Sequence, residues 1–186
     1  LGPGMLSRNY DGLQNDVDKM KGVFLSRGEY TYPLDKERLW EFKPLAKVGD
    51  TVMAGSWLGE VDENFQPHRI MVPFVFQGTY KIKSLVEAGR YTVDHVVATV
   101  TDEAGHDHDV TMVQKWPVKR PVTRYKEKPR PYKLLETGVR IIDTVKPIVE
   151  GGTGFIQGPF GTGKTGLQPS ISKQAEADIV IMAACG

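Results

Sequence analysis

The stretch Gly158-Pro159-Phe160-Gly161-Thr162-Gly163-Lys164-Thr165 decides how this chain is interpreted. It matches the phosphate-loop pattern G-x-x-x-x-G-K-[ST] at every fixed position. In this pattern glycines let backbone N–H groups point at an anion, the lysine adds a mobile charge, and the Ser or Thr hydroxyl can ligate Mg²⁺. We expect all eight residues to bind nucleotide phosphates, with Lys164 catalytic and Thr165 on the metal. The alternative is an ordinary glycine-rich turn.

The sequence on either side of the loop predicts one βαβ unit. Thr153–Gln157 is typical of a strand, Lys164–Ala175 of a helix, and Asp178–Ala184 of a fully apolar strand. A strand that is apolar on both faces belongs in a parallel sheet covered by helices. Residues 137–186 therefore read as a phosphate-loop nucleotide-binding domain of the α/β class.

Pro169 conflicts with a regular helix after the loop. Its ring lacks an N–H to donate to the Thr165 carbonyl and crowds that carbonyl. We expect either a kinked helix over about Lys164–Ala175 or an irregular segment in its place.

The region before the loop is predicted to be β-rich. Short runs of β-branched residues alternate with turn signals from Leu45 to about Trp116, which is typical of a small sandwich or barrel. His68–Pro73 and Gly78–Ile82 read as the two arms of one hairpin. A further group of acidic and histidine side chains suits a solvated hairpin turn better than a metal site; it comprises Asp102, His106, Asp107, His108 and Asp109.

A proline-rich basic stretch separates the two regions. Its prolines prevent a regular element, so a stiff, solvated linker is favoured over a phosphate-binding arm. The basic residues are Lys119, Arg120, Arg124, Lys126, Lys128 and Arg130. The predicted domains are a leading segment of the nucleotide-binding region, an inserted β-barrel, this linker and the phosphate-loop domain; they span residues 1–33, 34–116, 117–136 and 137–186.

Composition excludes several classes of protein. The chain of 186 residues carries 24 Lys and Arg against 23 Asp and Glu, so it lacks the basic excess of a nucleic-acid binder. One Cys excludes an internal disulfide, and we expect Cys185 to be a buried packing residue. The longest apolar run, Ile179–Cys185, is too short to cross a bilayer. Because the chain opens at Leu1 rather than Met and stops after an apolar run, we expect a piece of a longer protein.

Several segments together resemble one family, the catalytic A subunit of the V-type and A-type rotary ATPases. The phosphate loop is shared by many families, whereas WEFKP, HRIMVP and QKWPV are specific to this one. Besides the phosphate loop, the resemblance rests on Tyr10–Gln14 (YDGLQ), Trp40–Pro44 (WEFKP), His68–Pro73 (HRIMVP), Gln114–Val118 (QKWPV) and Thr137–Thr144 (TGVRIIDT). The resemblance covers essentially the whole chain.

The resemblance implies a fold and an activity. The fold is α/β plus β: a partial phosphate-loop βαβ domain with an inserted, lipoyl-like "bulge" barrel. The activity is ATP hydrolysis or synthesis with Mg²⁺, coupled to transport of H⁺ or Na⁺. Implied partners are the B subunit of an alternating hexamer, a central stalk and, through the bulge, a peripheral stator stalk. The complex would be cytoplasmic and peripheral on the membrane, without direct insertion of this chain and without nucleic acid.

The resemblance also implies that this chain lacks part of the catalytic machinery. In the family a Gly-Glu-Arg-Gly-x-Glu segment begins at the position of Gly186 and carries the glutamate that activates water. The arginine finger comes from the neighbouring B subunit. We therefore expect the chain alone to bind phosphate weakly and to hydrolyse almost nothing. Two other readings stay open: a stator-docking module whose phosphate loop is not used, and an unrelated phosphate-loop kinase or GTPase.

Overall fold

The fold consists of two compact units, Leu1–Tyr125 and Lys126–Gly186. The structure, a computed structural model, describes residues 1–22, 24, 26–123, 125 and 127–185. Arg124 and Lys126 of the predicted basic linker, and Gly186, lie outside the described residues. Within the described part of the chain, no helix is long and apolar enough to cross a membrane.

The first unit is built on eight antiparallel strands in two four-stranded sheets. The strands are β1 Trp40–Pro44, β2 Thr51–Met53, β3 Trp57–Glu63, β4 Gln66–Met71, β5 Thr79–Leu85, β6 Gly89–Tyr91, β7 Ala98–Thr101 and β8 Asp107–Val110. One sheet has the order β4-β3-β1-β6 and the other β2-β5-β7-β8. The predicted β-rich region is therefore confirmed.

The core of this unit consists of two hydrophobic clusters. One contains Leu34, Trp40, Phe42, Val61, Ile70, Val93, Val97 and Met112. The other contains Val52, Leu58, Val72, Tyr80, Ile82, Ala98, Val100 and Val110. Strands such as β1, which alternates buried and exposed positions, supply these side chains because successive residues face opposite sides of a sheet.

Gly59 allows strands β1 and β3 to pack closely against each other. A Cβ at Gly59 would lie 2.3 Å from Cζ of Phe42 and 2.7 Å from the carbonyl oxygen of Lys43. Phe42 itself is completely buried. Only a residue without a side chain lets β1 and its aromatic ring approach β3 this closely.

The predicted hairpin between His68–Pro73 and Gly78–Ile82 is wrong. Both segments contain strands, β4 and β5, but β4 pairs with β3, while β5 pairs with β2 and β7. Residues 72–78 instead connect the two sheets. The short turn at Asn64-Phe65 closes the β3–β4 hairpin, so β4 meets its partner before the chain reaches β5.

The second unit contains helices α1 Arg140–Val145 and α2 Lys164–Gln174, with a ribbon of β9 Leu134–Leu135 and β10 Ile148–Val149. The Asp143 carboxylate fixes the entry to α1. It accepts hydrogen bonds from the N–H (3.1 Å) and hydroxyl (2.7 Å) of Thr137 and from the Gly138 N–H (3.1 Å). Because of these bonds, the pKa of Asp143 lies below its ordinary value.

The basic residues of the predicted linker lie in 117–131, whose described residues form no helix or strand, whereas β9 lies near the end of the linker. The indole N–H of Trp116 donates to the carbonyl of Arg120 at 2.7 Å and holds a turn at its start. The predicted domain boundaries remain predictions, although all eight strands of the barrel fall within the predicted 34–116.

Candidate nucleotide-binding site

The phosphate loop directly precedes α2, as the sequence predicts. Gly161 and Gly163 have φ of 79° and 85°, in the left-handed region that favours glycine. Gly163 is the N-cap of α2. Because glycine has no side chain, no capping hydrogen bond occupies the free N–H groups at the start of the helix. A Cβ at Gly158 would lie 2.5 Å from the Thr162 hydroxyl, so the first glycine permits a close approach within the loop.

The loop leaves a row of backbone donors without acceptors. Among the residues that the structure describes, the N–H groups from Gly161 to Thr165 form no hydrogen bond within the chain. The N–H groups of Gly166 and Leu167 donate to the Gly163 carbonyl, both at 3.0 Å, and close the first turn. Successive free N–H groups at the positive end of a helix form an anion-binding site.

Lys164 lies across the loop. Its ammonium group donates to the carbonyl oxygen of Gly158, at the opposite end of the eight-residue motif. The ammonium group therefore joins the two ends of the loop. A phosphate bound there would offer the ammonium group a charged acceptor in place of a neutral carbonyl, which is the stronger hydrogen bond.

Three other loop residues, Thr162, Phe160 and Thr165, differ in their contacts and exposure. Thr162 donates its hydroxyl to the Pro159 carbonyl at 2.9 Å, which stabilises the turn. The ring of Phe160 is fully exposed. Thr165 lies exposed in the first turn of α2, and its hydroxyl is an oxygen donor of the kind Mg²⁺ accepts. The donor set therefore fits a phosphate and one ligand position of Mg²⁺.

Helix α2 continues through Pro169 to Gln174, so the expectation of an irregular segment is wrong. Pro169 still cannot donate to the Thr165 carbonyl, which leaves this acceptor without a helical partner. Beyond the proline, the hydroxyls of Ser170 and Ser172 donate to the carbonyls of Gly166 and Gln168 one turn earlier, at 3.1 and 3.0 Å.

The two strands predicted beside the loop do not form. Thr153–Gln157 and Asp178–Ala184 are irregular chain in the structure. Parallel strands exist only with hydrogen-bonded neighbours, and neither segment finds one in the described part of the chain. The expected burial of Cys185 is also wrong, because it follows the unpaired segment and is exposed.

The acidic and histidine residues of the β7–β8 turn hold one another. The Asp102 carboxylate accepts a hydrogen bond from the His106 N–H at 2.8 Å and contacts the rings of His106 and His108. These bonds, the backbone one first, lower the pKa of Asp102 to about 2. No group of three or more potential metal ligands occurs within the described ranges.

Sequence reasoning missed Glu63, a buried carboxylate at the end of β3. Nothing in its sequence neighbourhood, Asp62-Glu63-Asn64, distinguishes it from a solvated hairpin residue. Its position becomes significant only once the fold brings distant N–H groups to it.

Two family models match the chain. One describes the ATP synthase alpha/beta subunit barrel-sandwich domain and matches residues 31–119. The other describes the nucleotide-binding domain of the ATP synthase alpha/beta family and matches residues 138–186, which include the whole phosphate loop.

The chain is also similar along its whole length to V-type ATP synthase alpha chains. It is 49% identical to that of Borrelia garinii subsp. bavariensis, 49% to that of Protochlamydia amoebophila and 50% to that of Borrelia duttonii, each over 189 aligned residues. These alignments cover 100% of this chain but only 32% or 33% of each relative. The chain thus spans about a third of the length of the curated relatives it matches.

Proposed function

The chain belongs to the ATP synthase alpha/beta family, and we propose that it forms the phosphate-binding part of the catalytic subunit of a rotary ATPase. The full subunit hydrolyses or synthesises ATP, coupled to transport of H⁺ or Na⁺. The observation that supports this most directly is the loop Gly158–Thr165, with its free N–H groups at the start of α2 and the Lys164 ammonium bound to the Gly158 carbonyl.

The proposed role of the chain is to bind and orient the triphosphate. The N–H groups from Gly161 to Thr165 donate to phosphate oxygens, and α2 adds the positive end of its dipole. Lys164 exchanges the Gly158 carbonyl for the β- and γ-phosphates. The Thr165 hydroxyl is one ligand of Mg²⁺, which when bound neutralises charge on the phosphates. Phosphoryl transfer depends mainly on such positioning and charge stabilisation.

We propose that the other catalytic groups come from outside this chain. The water-activating glutamate belongs to the part of the subunit after Gly186, and the arginine finger belongs to a B subunit in an alternating hexamer. An arginine finger contributes about three to five orders of magnitude in rate in related nucleotide hydrolases. The chain of 186 residues alone is therefore inactive in hydrolysis.

The remaining assignments follow from the same proposal. The barrel, residues 34–116, is an inserted domain that contacts a peripheral stator stalk, and a central stalk contacts the assembled hexamer. Residues 1–33 lead into the barrel, residues 117–136 leave it, and residues 137–186 begin the nucleotide-binding domain. The complex is cytoplasmic and peripheral on the membrane.

A substitution of Lys164 tests the proposal in the assembled complex. Lys164→Ala removes the mobile charge from the loop, and we expect steady-state ATP hydrolysis to fall at least about a hundredfold, as when a single charge-stabilising donor is lost. The matched control is Lys173→Ala, which removes an exposed lysine from the last turn of the same helix and leaves hydrolysis near normal. Normal activity in an assembled Lys164→Ala complex would contradict the proposal.

The same experiment decides a second candidate, a stator-docking module whose phosphate loop is not used. The observation in its favour is that the barrel contains both hydrophobic core clusters. This second candidate function requires Lys164→Ala to leave ATP hydrolysis unchanged while substitutions on the barrel prevent assembly.

A further inference from the structure

Glu63 is a buried carboxylate that the proposed function does not use. Its side chain is 4% exposed. One oxygen, Oε1, accepts hydrogen bonds from the N–H groups of Gly4 at 2.7 Å and Leu6 at 3.0 Å. The other, Oε2, lies 2.8 Å from Nδ1 of His68 on β4. Two of these partners are nearly sixty residues away in sequence, so the carboxylate joins the leading segment to the β3–β4 hairpin.

The leading segment also contacts the barrel region after β8, at Gln114. The N–H of Gln114 donates to the carbonyl of Leu1 at 2.7 Å. Gly2 is buried, and a Cβ there would lie 3.0 Å from both the Met112 carbonyl oxygen and a methyl group of Leu34. Residues 1–6 therefore run from a contact with Gln114 to a contact with Glu63, with little space beside Gly2.

Further bonds hold the segment where it turns back towards β1. The Tyr10 hydroxyl donates to the Pro33 carbonyl at 2.8 Å. The N–H of Thr31 donates to the Asn15 side chain at 3.1 Å, and its hydroxyl donates to the Asp16 carbonyl at 3.0 Å. Each bond closes a loop of the leading segment, whereas Glu63 links the segment to the sheet itself through a buried charge.

The bonds to Glu63 are of the strong kind. Burial alone raises the pKa of a carboxyl group, but the hydrogen bonds from His68, Leu6 and Gly4 outweigh burial here and bring the pKa of Glu63 below its ordinary value. Loss of the carboxylate would leave the Gly4 and Leu6 N–H groups without their acceptor. A donor buried without a partner costs more free energy than the hydrogen bond itself contributes.

We infer that residues 1–8 form a strap across the barrel with Glu63 as its latch, so that the leading segment and the barrel move as one body. This inference does not depend on the proposed function, because none of the residues involved belongs to the phosphate loop. When the latch is lost, the strap opens locally while the two sheets stay folded, since the sheets carry the core clusters.

Hydrogen exchange of the full 186-residue chain, measured by mass spectrometry on the peptide covering residues 1–8, tests the strap. In Glu63→Ala, the Gly4 and Leu6 amides are expected to exchange at least about tenfold faster, while amides of β5, β7 and β8 keep their protection. Glu63→Gln, which keeps one acceptor oxygen, is expected to give an intermediate rate. Glu60→Gln is the matched control, because Glu60 lies on the same strand but pairs with Arg69.

A second variant opens the strap from its other end. Gly2→Ala inserts a methyl group against Met112 and Leu34 without altering Glu63, and the same two amides are expected to exchange faster. This variant, with Glu63→Gln, carries the test if Glu63→Ala does not fold. Unchanged exchange at Gly4 and Leu6, or equal loss of protection throughout the barrel, would overturn the inference.

Discussion

The two units of this chain differ in how far their packing is complete. In the described residues, every buried apolar side chain lies in the first unit, from Pro3 to Met112. In the second unit, by contrast, Ile181 is 89% exposed and Phe155 is 85% exposed. Two sheets facing one another bury both of their inner faces. Two helices and a short ribbon without a covering sheet cannot do so, and the phosphate-loop motif is present here without a hydrophobic core around it.

The unit with the packed core is also the one with strained backbone conformations. Among the described residues, all the non-glycine residues with positive φ belong to the first unit: Ser7, Gln14, Asn64 and Phe65. In the described part of the second unit, positive φ occurs at glycines alone. Strained conformations persist where the surrounding structure determines them. The positive φ values at Asn64-Phe65 are those required by the tight turn of the β3–β4 hairpin.

The largest expected effect compares the contribution to stability of a buried side chain in the first unit with that of an exposed side chain in the second. Phe42→Ala removes a fully buried ring and is expected to lower the free energy of unfolding by about 3–5 kcal/mol. Ile181→Ala, in the unpaired segment of the second unit, is expected to change it by less than about 0.5 kcal/mol. Urea denaturation followed by far-UV circular dichroism, which reports on the strands of the first unit and the helices of the second, measures both.

Phe42→Leu is the milder control for this pair, because it keeps most of the side-chain volume and is expected to cost about 1 kcal/mol. Equal destabilisation by Phe42→Ala and Ile181→Ala would break the comparison, since it would mean that residues 179–184 have a packed partner in this chain.

A smaller effect is expected from relieving strain in the barrel. Phe65 has a φ of 65° and is 94% exposed, at a turn position where glycine is favoured. Phe65→Gly is expected to stabilise the barrel by about 0.5–1 kcal/mol, measured by the same urea titration. Asn64→Gly is the control and should change stability less, because asparagine tolerates positive φ. Destabilisation by Phe65→Gly would show that the exposed ring contributes more than its backbone conformation costs.

The phosphate loop and its helix were predictable from sequence because they depend on local chemistry. Glycines set the turn, and the helix from Lys164 begins where the motif requires. Even Pro169 did not prevent the helix. The flanking strands, at 153–157 and 178–184, were not predictable in the same way, since a strand needs a neighbour that its own sequence does not specify.

In the barrel, the presence of strands was predictable and their pairing was not. Alternation identifies the segments that become β4 and β5, but it does not say that β4 turns back on β3 while β5 crosses to the other sheet. Glu63 shows the same limit. Its burial results from the Gly4 and Leu6 N–H groups that the fold brings to it, which no local pattern records.

The most direct test of the account is the affinity for Mg²⁺-ATP, measured by calorimetry on this chain and on the full-length subunit. If the loop is the triphosphate site of a domain completed by the rest of the subunit, the full-length protein binds ATP, and this chain binds it about a hundredfold more weakly, a loss of about 2.8 kcal/mol, because the contacts made by the rest of the domain are missing. Equal affinity of the two proteins, or no binding by the full-length subunit, would contradict the account.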